Sequence, residues 1–228
     1  MRPDMTDKLK GPKPELYRVL VFDTETTGLP PKEGGRFVSP KDYKKYNDCR
    51  IVQIAWQYMI DGKTIRRYNF CIKPNGFVYT GSQFNKVTKE MTDMGTDMTE
   101  VMKTFKRDLG RSQVICGHNV WFDIYILQAE LYRLGLTDII NMMRGQHIVC
   151  TMRTACKVFK KNKWPKLVDL YKYLTREAMI NAHDADADVE ATAVCYRHLF
   201  QCGGVDRPIK IAQEDEVEGS FMLMDNAL

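Results

Sequence analysis

No run of about 18 consecutive apolar residues occurs in the 228-residue chain, so nothing in it reads as a membrane-spanning helix. The opening stretch MRPDMTDKLKGPKPE is polar and interrupted by proline, and it lacks the apolar centre of a secretory signal. These absences lead us to expect a soluble, intracellular protein. No two cysteines stand as Cys-x-x-Cys. The seven that occur (Cys49, Cys71, Cys116, Cys150, Cys156, Cys195, Cys202) are scattered and odd in number, so neither a disulfide framework nor a zinc site is indicated. There is no internal repeat and no low-complexity tract that would change the class. A strong charge of one sign is lacking too: 34 Lys+Arg against 29 Asp+Glu gives +5, which fits a polyanionic partner without demanding one.

What is present is enough apolar residue, 44%, for one sizeable core. We expect one domain over residues 16–204, a flexible tail over 1–15 and a second tail over 205–228. The second tail combines the acidic run Glu214–Glu218 with the apolar Phe221–Met224, a composition suited to docking on a partner. Basic charge concentrates between Arg153 and Arg176, where Lys157, Lys160, Lys161, Lys163, Lys166 and Lys172 face one acid, Asp169. Such a run is either a solvated helical face or a track for phosphates.

Tyr17–Phe22 is a near-continuous apolar run, the pattern of a strand covered on both faces. The stretch between Gly28 and Arg50 holds prolines, paired glycines and five basic residues (Lys32, Arg36, Lys41, Lys44, Lys45), and reads as a loop insertion. Ile51–Met59 and Thr64–Ile72 read as strands joined through Asp61-Gly62, a hairpin signal. Thr99 is placed to cap a helix running to Leu109, followed by a short strand at Val114–Cys116 and a helix over Val120–Leu134. A last strand over Ile148–Thr151 and helices near Met152–Phe159, Lys166–Leu174 and Ala185–Gln201 complete a mixed α/β layer pattern.

Three segments carry carboxylates. Asp23 and Glu25 follow the first strand, and residues i and i+2 of an extended chain project from one face. Two like charges held that close raise each other's pKa unless a cation lies between them, and oxygen donors suit Mg²⁺ or Mn²⁺. Taken alone, the pair equally well caps a strand end and faces water. Asp123, in Gly117-His-Asn-Val-Trp-Phe-Asp123, falls in the first turn of a helix that starts where a strand ends. There it either faces the strand ends or compensates the helix dipole. Asp188 lies early in a helix whose apolar stripe is Ala185, Val189, Thr192, Tyr196 and Leu199. His183 stands five residues before it, about 140° away on an ideal helix, so the two converge only if His183 precedes regular helix. In isolation Asp184, Asp186, Asp188 and Glu190 form a solvated acidic face.

The segments Asp23-Thr-Glu25-Thr-Thr-Gly28, His118-Asn119 with Phe122-Asp123, and His183-x-Ala185-x-x-Asp188-x-x-x-Thr192 resemble the three motifs of the DnaQ-like exonucleases. These form the DEDDh branch of the RNase H-like fold, and the resemblance covers roughly residues 17–202. The sister branch has a tyrosine four residues before the last aspartate, and that position here is Asp184. The resemblance implies an α/β fold with a central mixed five-stranded sheet, its first three strands antiparallel, flanked by helices. It also implies a 3′-to-5′ exonuclease that uses two Mg²⁺ or Mn²⁺ ions held by Asp23, Glu25, Asp123 and Asp188, with Asp23 shared by both and His183 as general base. Thr26, Leu29 and Asn119 are implied to hold the terminal nucleotide. Packing under a loop is the plainer role for Leu29, and helix capping for Asn119. DNA with a free 3′ end is the expected partner. An exoribonuclease is the alternative, since the sugar is discriminated by loop contacts to the 2′-OH. An inactive module docking on a polymerase is a third reading, one that has no need of all five site residues.

Overall fold

The protein's structure is a computed structural model, and it describes residues 18–160 and 162–202. The two expected tails and Lys161 lie outside the described residues. The first apolar run extends further than its hydrophobic residues suggest: β1 spans Arg18–Thr26 and carries Asp23 and Glu25 within it. Short strands β2 (Lys32–Glu33) and β3 (Arg36–Phe37) pair into a separate ribbon. β4 (Ile51–Ile60) and β5 (Lys63–Cys71) form a hairpin. Its turn, Asp61-Gly62, has φ of +48° and +75°, the left-handed pair that matches the twist of tightly turned strands.

The short helix α1 (Lys89–Asp93) and α2 (Met98–Leu109) precede β6 (Val114–Gly117). Then come α3 (Trp121–Leu134), α4 (Thr137–Arg144), β7 (His147–Cys150), α5 (Thr151–Phe159), α6 (Leu167–Thr175) and α7 (Ala185–Arg197). The central sheet is mixed and five-stranded, in the order β5-β4-β1-β6-β7. β1 runs antiparallel to β4 and parallel to β6, β4 antiparallel to β5, and β6 parallel to β7.

Several expectations are adjusted. The antiparallel trio is β5-β4-β1, and the second and third strands in chain order belong to the separate ribbon. The 28–50 stretch is also more regular than its composition suggests. Pro40–Tyr46 is a 3-10 helix, and the buried Tyr46 donates its hydroxyl to the Val38 carbonyl at 2.5 Å. Pro40 and Tyr46 are the buried residues of this otherwise polar turn. The cap of α2 is Asp97, whose Oδ1 accepts from the Thr99 amide at 2.8 Å, so Thr99 lies inside the helix. Regular helix in α7 ends at Arg197 and gives way to a π-type turn over His198–Cys202. α1 and α4 had no expectation attached to them.

Helices cover both faces of the sheet. Leu20, Phe22, Trp56, Phe105, Ile126 and Leu131 share one apolar cluster; Val19, Val21, Val149, Val189 and Tyr196 share the other. Trp56 is fully buried, stacks on Tyr68 with centroids 4.9 Å apart, and donates its indole N–H to Asp108 at 3.2 Å. Truncating a side chain of that size in a packed core costs roughly 3–5 kcal/mol. Because side chains alternate along a strand, Asp23 and Glu25 share the face of Val19 and Val21, on which α7 packs. Among the described residues no helix is long and apolar enough to cross a membrane.

Candidate active site

The pleat of β1 aims Asp23 and Glu25 at the N-terminal turn of α7. A carboxylate oxygen from each of Asp23, Glu25 and Asp188 lies within 4.8 Å of the others. Asp123 approaches from the first turn of α3 and is buried. Its Oδ1 accepts from the Thr24 amide at 3.0 Å and the Thr24 hydroxyl at 2.7 Å, so it is locked to the residue between Asp23 and Glu25. Asp123 is not part of the tight trio, but its charge reaches both carboxylates of β1.

The grouping is electrostatically strained. Burial, then the charges of Asp123, Asp188 and Glu25, raises Asp23 well above the usual carboxylate range. Burial followed by Asp188 and Asp123 pushes Glu25 up to about 8. Asp123 rises to about 7 through burial, against the lowering pull of its bonds from Thr24. Asp188 rises to about 6 through burial, opposed by the charge and backbone of His183. The Asp188 Oδ1 is buried with no hydrogen-bond partner among the described residues. An orphaned acceptor beside two further carboxylates is what a hard divalent cation satisfies, so the donor set fits Mg²⁺ or Mn²⁺.

His183 is exposed, has a φ of +65°, and sits just ahead of α7, where its carbonyl accepts from the Lys86 amide at 3.3 Å. It therefore precedes regular helix, the condition under which it and Asp188 converge. The neighbouring acids have structural partners. Asp184 is the N-cap of α7, its Oδ1 accepting from the amides of Asp186 and Ala187 at 3.1 and 3.3 Å. Asp186 receives the Arg67 Nε at 2.6 Å, and Arg67 also reaches Glu190 at 3.0 Å. Gln53 on β4 accepts the Ala185 amide at 3.3 Å. Side chains of β4 and β5 thus clamp the turn that presents Asp188.

The end of β1 is tied down as well. The Asn85 side chain donates to the Thr26 carbonyl at 3.1 Å, and the Thr26 hydroxyl donates to the Gly28 carbonyl at 2.7 Å. A Cβ on Gly28 would meet the Asp48 carbonyl oxygen at 2.6 Å, so only glycine fits there. Leu29 stands beside it, 80% exposed, and does not pack under the loop. Asn119 makes no side-chain cap on α3, whose N-cap position is Val120. His118 is held neutral, its pKa pushed down to about 4 by burial. Its Nε2 donates to the Pro165 carbonyl at 3.1 Å, which leaves Nδ1 to accept from the Thr151 hydroxyl at 3.0 Å.

Sequence reasoning missed Thr24, Arg67, Gln53 and Asn85. Thr24 was findable, because it stands between two paired carboxylates. Arg67 and Asn85 act across the fold, more than 50 residues from their partners in the chain, and leave no local signal.

The profile of the RNase T exonuclease family matches residues 20–196. The chain belongs to that family. It is 30% identical over 175 residues to the PolC-type DNA polymerase III of Lacticaseibacillus paracasei, covering 76% of this chain but 10% of that protein. To the DNA polymerase III epsilon subunit of Buchnera aphidicola it is 27% identical over 176 residues, 75% of this chain and 70% of the subunit. Among solved structures, exonuclease X in complex with 5′ overhanging duplex DNA superposes with a TM-score of 0.55 at 19% identity, over 85% of this chain and 99% of that one. This last likeness shows the fold alone. The family match and the fold agree with the DnaQ-like, RNase H-like resemblance: the chain carries a 3′-to-5′ exonuclease domain, a hydrolase. It spans about a tenth of the PolC-type relative.

Proposed function

We propose that the domain removes nucleotides from the 3′ end of single-stranded or frayed DNA, releasing nucleoside 5′-monophosphates. The trio of Asp23, Glu25 and Asp188, with its buried unpartnered oxygen, carries this reading. Asp23, Glu25, Asp123 and Asp188 would hold two Mg²⁺ or Mn²⁺ ions. Bound there, the ions supply charge to stabilise the phosphate and lower the pKa of water. Burial, with repulsion among the acids, raises all four carboxyls above the usual carboxylate range, and bound metal would favour their ionised forms.

His183 accepts the proton of the attacking water on an imidazole nitrogen. Imidazole is the side chain suited to exchanging a proton near neutrality. The water oxygen forms the new bond to phosphorus, the bond from phosphorus to the upstream 3′ oxygen breaks, and that oxygen takes up a proton from solvent to become the new terminal hydroxyl. Thr26 and Asn119 hold the terminal nucleotide, and the exposed Leu29 packs against its base. Thr24 acts by holding Asp123, and Arg67 by holding the turn of Asp188.

DNA is favoured because the relatives include DNA polymerase III components. The same relationship supports a proofreading or repair setting, with residues 205–228 docking on a polymerase. Incubating 5′-labelled single-stranded DNA, mismatched duplex and RNA with Mg²⁺ or Mn²⁺ tests the reading. A descending ladder on DNA supports it, and faster shortening of RNA would move the substrate to RNA.

A further inference from the structure

Between α5 and α6 lies an apolar cleft of about 200 Å³, lined by Phe159, Pro165, Asp169, Leu170 and Tyr173. Asp169 and Tyr173 are four residues apart in α6, which sets them on one face of that helix, and Pro165 stands just ahead of it. Two large aromatic side chains of this segment are open to solvent: Trp164 is 59% exposed and Tyr173 53% exposed. Tyr173 is fixed in place by an edge-on contact with Phe159, centroids 4.9 Å apart, and by the Arg176 guanidinium 5.4 Å from its ring. Together with the cleft, the two rings make a contiguous apolar surface, the kind that marks a binding site when it is rimmed by polar residues.

The surroundings are basic. Lys160, Lys163, Lys166, Lys172 and Arg176 are all exposed on the same segment, and Asp169 is its one acid. Aromatic faces spaced among cations suit a single strand, whose bases stack while its phosphates meet the positive charge. A peptide would need apolar or acidic side chains in a set order. A strand needs only π-faces and phosphates at regular spacing, and that is what this surface offers. Asp169 gives an acceptor at the cleft for the amino group of a base.

The cleft is also joined to the catalytic end of the sheet. His118, beside Asn119 and close in sequence to Asp123, is hydrogen-bonded through Nε2 to the Pro165 carbonyl. Pro165 adjoins Trp164 and lines the cleft, so His118 ties the cleft to the segment that carries Asn119 and Asp123.

We infer that Trp164, Tyr173 and the cleft between α5 and α6 form a binding subsite for unpaired bases upstream of the scissile nucleotide, with the exposed lysines taking the phosphates. The subsite rests on the exonuclease reading and adds to it a preference for single strands long enough to reach Tyr173.

Steady-state cleavage by the full chain tests this on oligothymidylates of about 15 and about 3 nucleotides, the first within and the second below the roughly 4–16 nucleotides that single-strand sites cover. Trp164→Ala with Tyr173→Ala should raise KM for the long oligomer roughly 10- to 100-fold, the loss expected for removing aromatic stacking from one or two bases. Its kcat, and all kinetics on the short oligomer, should stay unchanged, and Trp164→Phe should restore KM. Binding of the long oligomer without metal should quench indole fluorescence in the wild type and lose most of that quench in Trp164→Phe. An unchanged KM on the long oligomer, or an equal rise on both, would overturn the subsite while leaving the nuclease reading standing. A wild type that cleaves neither oligomer would remove the nuclease reading and the subsite with it.

Discussion

Metal binding to the four-carboxylate centre should be steeply pH-dependent, and the structure sets both direction and size. Glu25 is pushed up to about 8, Asp123 to about 7 and Asp188 to about 6, all above the ordinary carboxylate values of an unfolded chain. An acid whose pKa is raised by folding holds its proton more tightly in the folded state. The stability it contributes is therefore complete below pH about 4 and drains away as pH climbs through 6, 7 and 8. A divalent cation that binds only the folded protein reverses the loss by favouring the ionised forms. With a pKa of about 8, Glu25 is about 1% ionised at pH 6 and half ionised at pH 8, so displacing its proton alone tightens apparent affinity about 50-fold. At a free metal concentration about 100 times the Kd, the folded state gains about 2.7 kcal/mol. For a domain of this size that raises Tm by roughly 5–11 °C. Differential scanning calorimetry with and without Mn²⁺ at pH 6 and pH 8 reads this directly. The metal-free Tm should fall toward pH 8 and the Mn²⁺-induced rise should be larger there. Glu25→Gln should flatten both trends. A Tm increment from Mn²⁺ that is equal at the two pH values, or a metal-free protein most stable at pH 8, would refute the electrostatic reasoning.

Other outcomes follow from the same geometry. His183→Ala should lower kcat by about 10²- to 10⁴-fold while Mn²⁺ affinity, measured by calorimetry, stays near wild type; lost metal affinity would make His183 a ligand. Thr24→Val removes the 2.7 Å hydroxyl donor to Asp123, a charge-assisted bond worth about 1.5–3 kcal/mol, and should move the acidic limb of the rate profile to higher pH. Arg67→Met frees the first turn of α7 and should lower kcat more than it raises KM, with the far-ultraviolet circular dichroism unchanged. Arg67→Lys, which keeps the charge but not the two-sided geometry, should recover only part of kcat.

The parts of this protein legible in its sequence are those written locally. The Asp61-Gly62 hairpin, the strand around Val19–Phe22 and the apolar stripe of α7 each follow from a short-range pattern, and all three are present. The placement of His183 before α7 was readable as a condition, because five residues cannot close 140° within one helix. What stayed hidden depends on contacts between distant segments. Tyr46 orders the polar 40–46 turn from within the core, and Asn85 reaches Thr26 across 59 positions. In the sequence Asp184 and Asp186 read only as part of an acidic face. Their work as a cap and as an Arg67 partner appears only once β5 and α7 are side by side.

Cleavage of 5′-labelled single-stranded DNA by wild type and Asp23→Asn, each with Mn²⁺ and with EDTA, puts the carboxylate centre to its most direct test. Wild type with Mn²⁺ should give a ladder shortening from the 3′ end and free nucleoside 5′-monophosphate. EDTA, or Asn at the position where the trio converges, should abolish it. A ladder that persists in EDTA or in Asp23→Asn would contradict the assignment of this site.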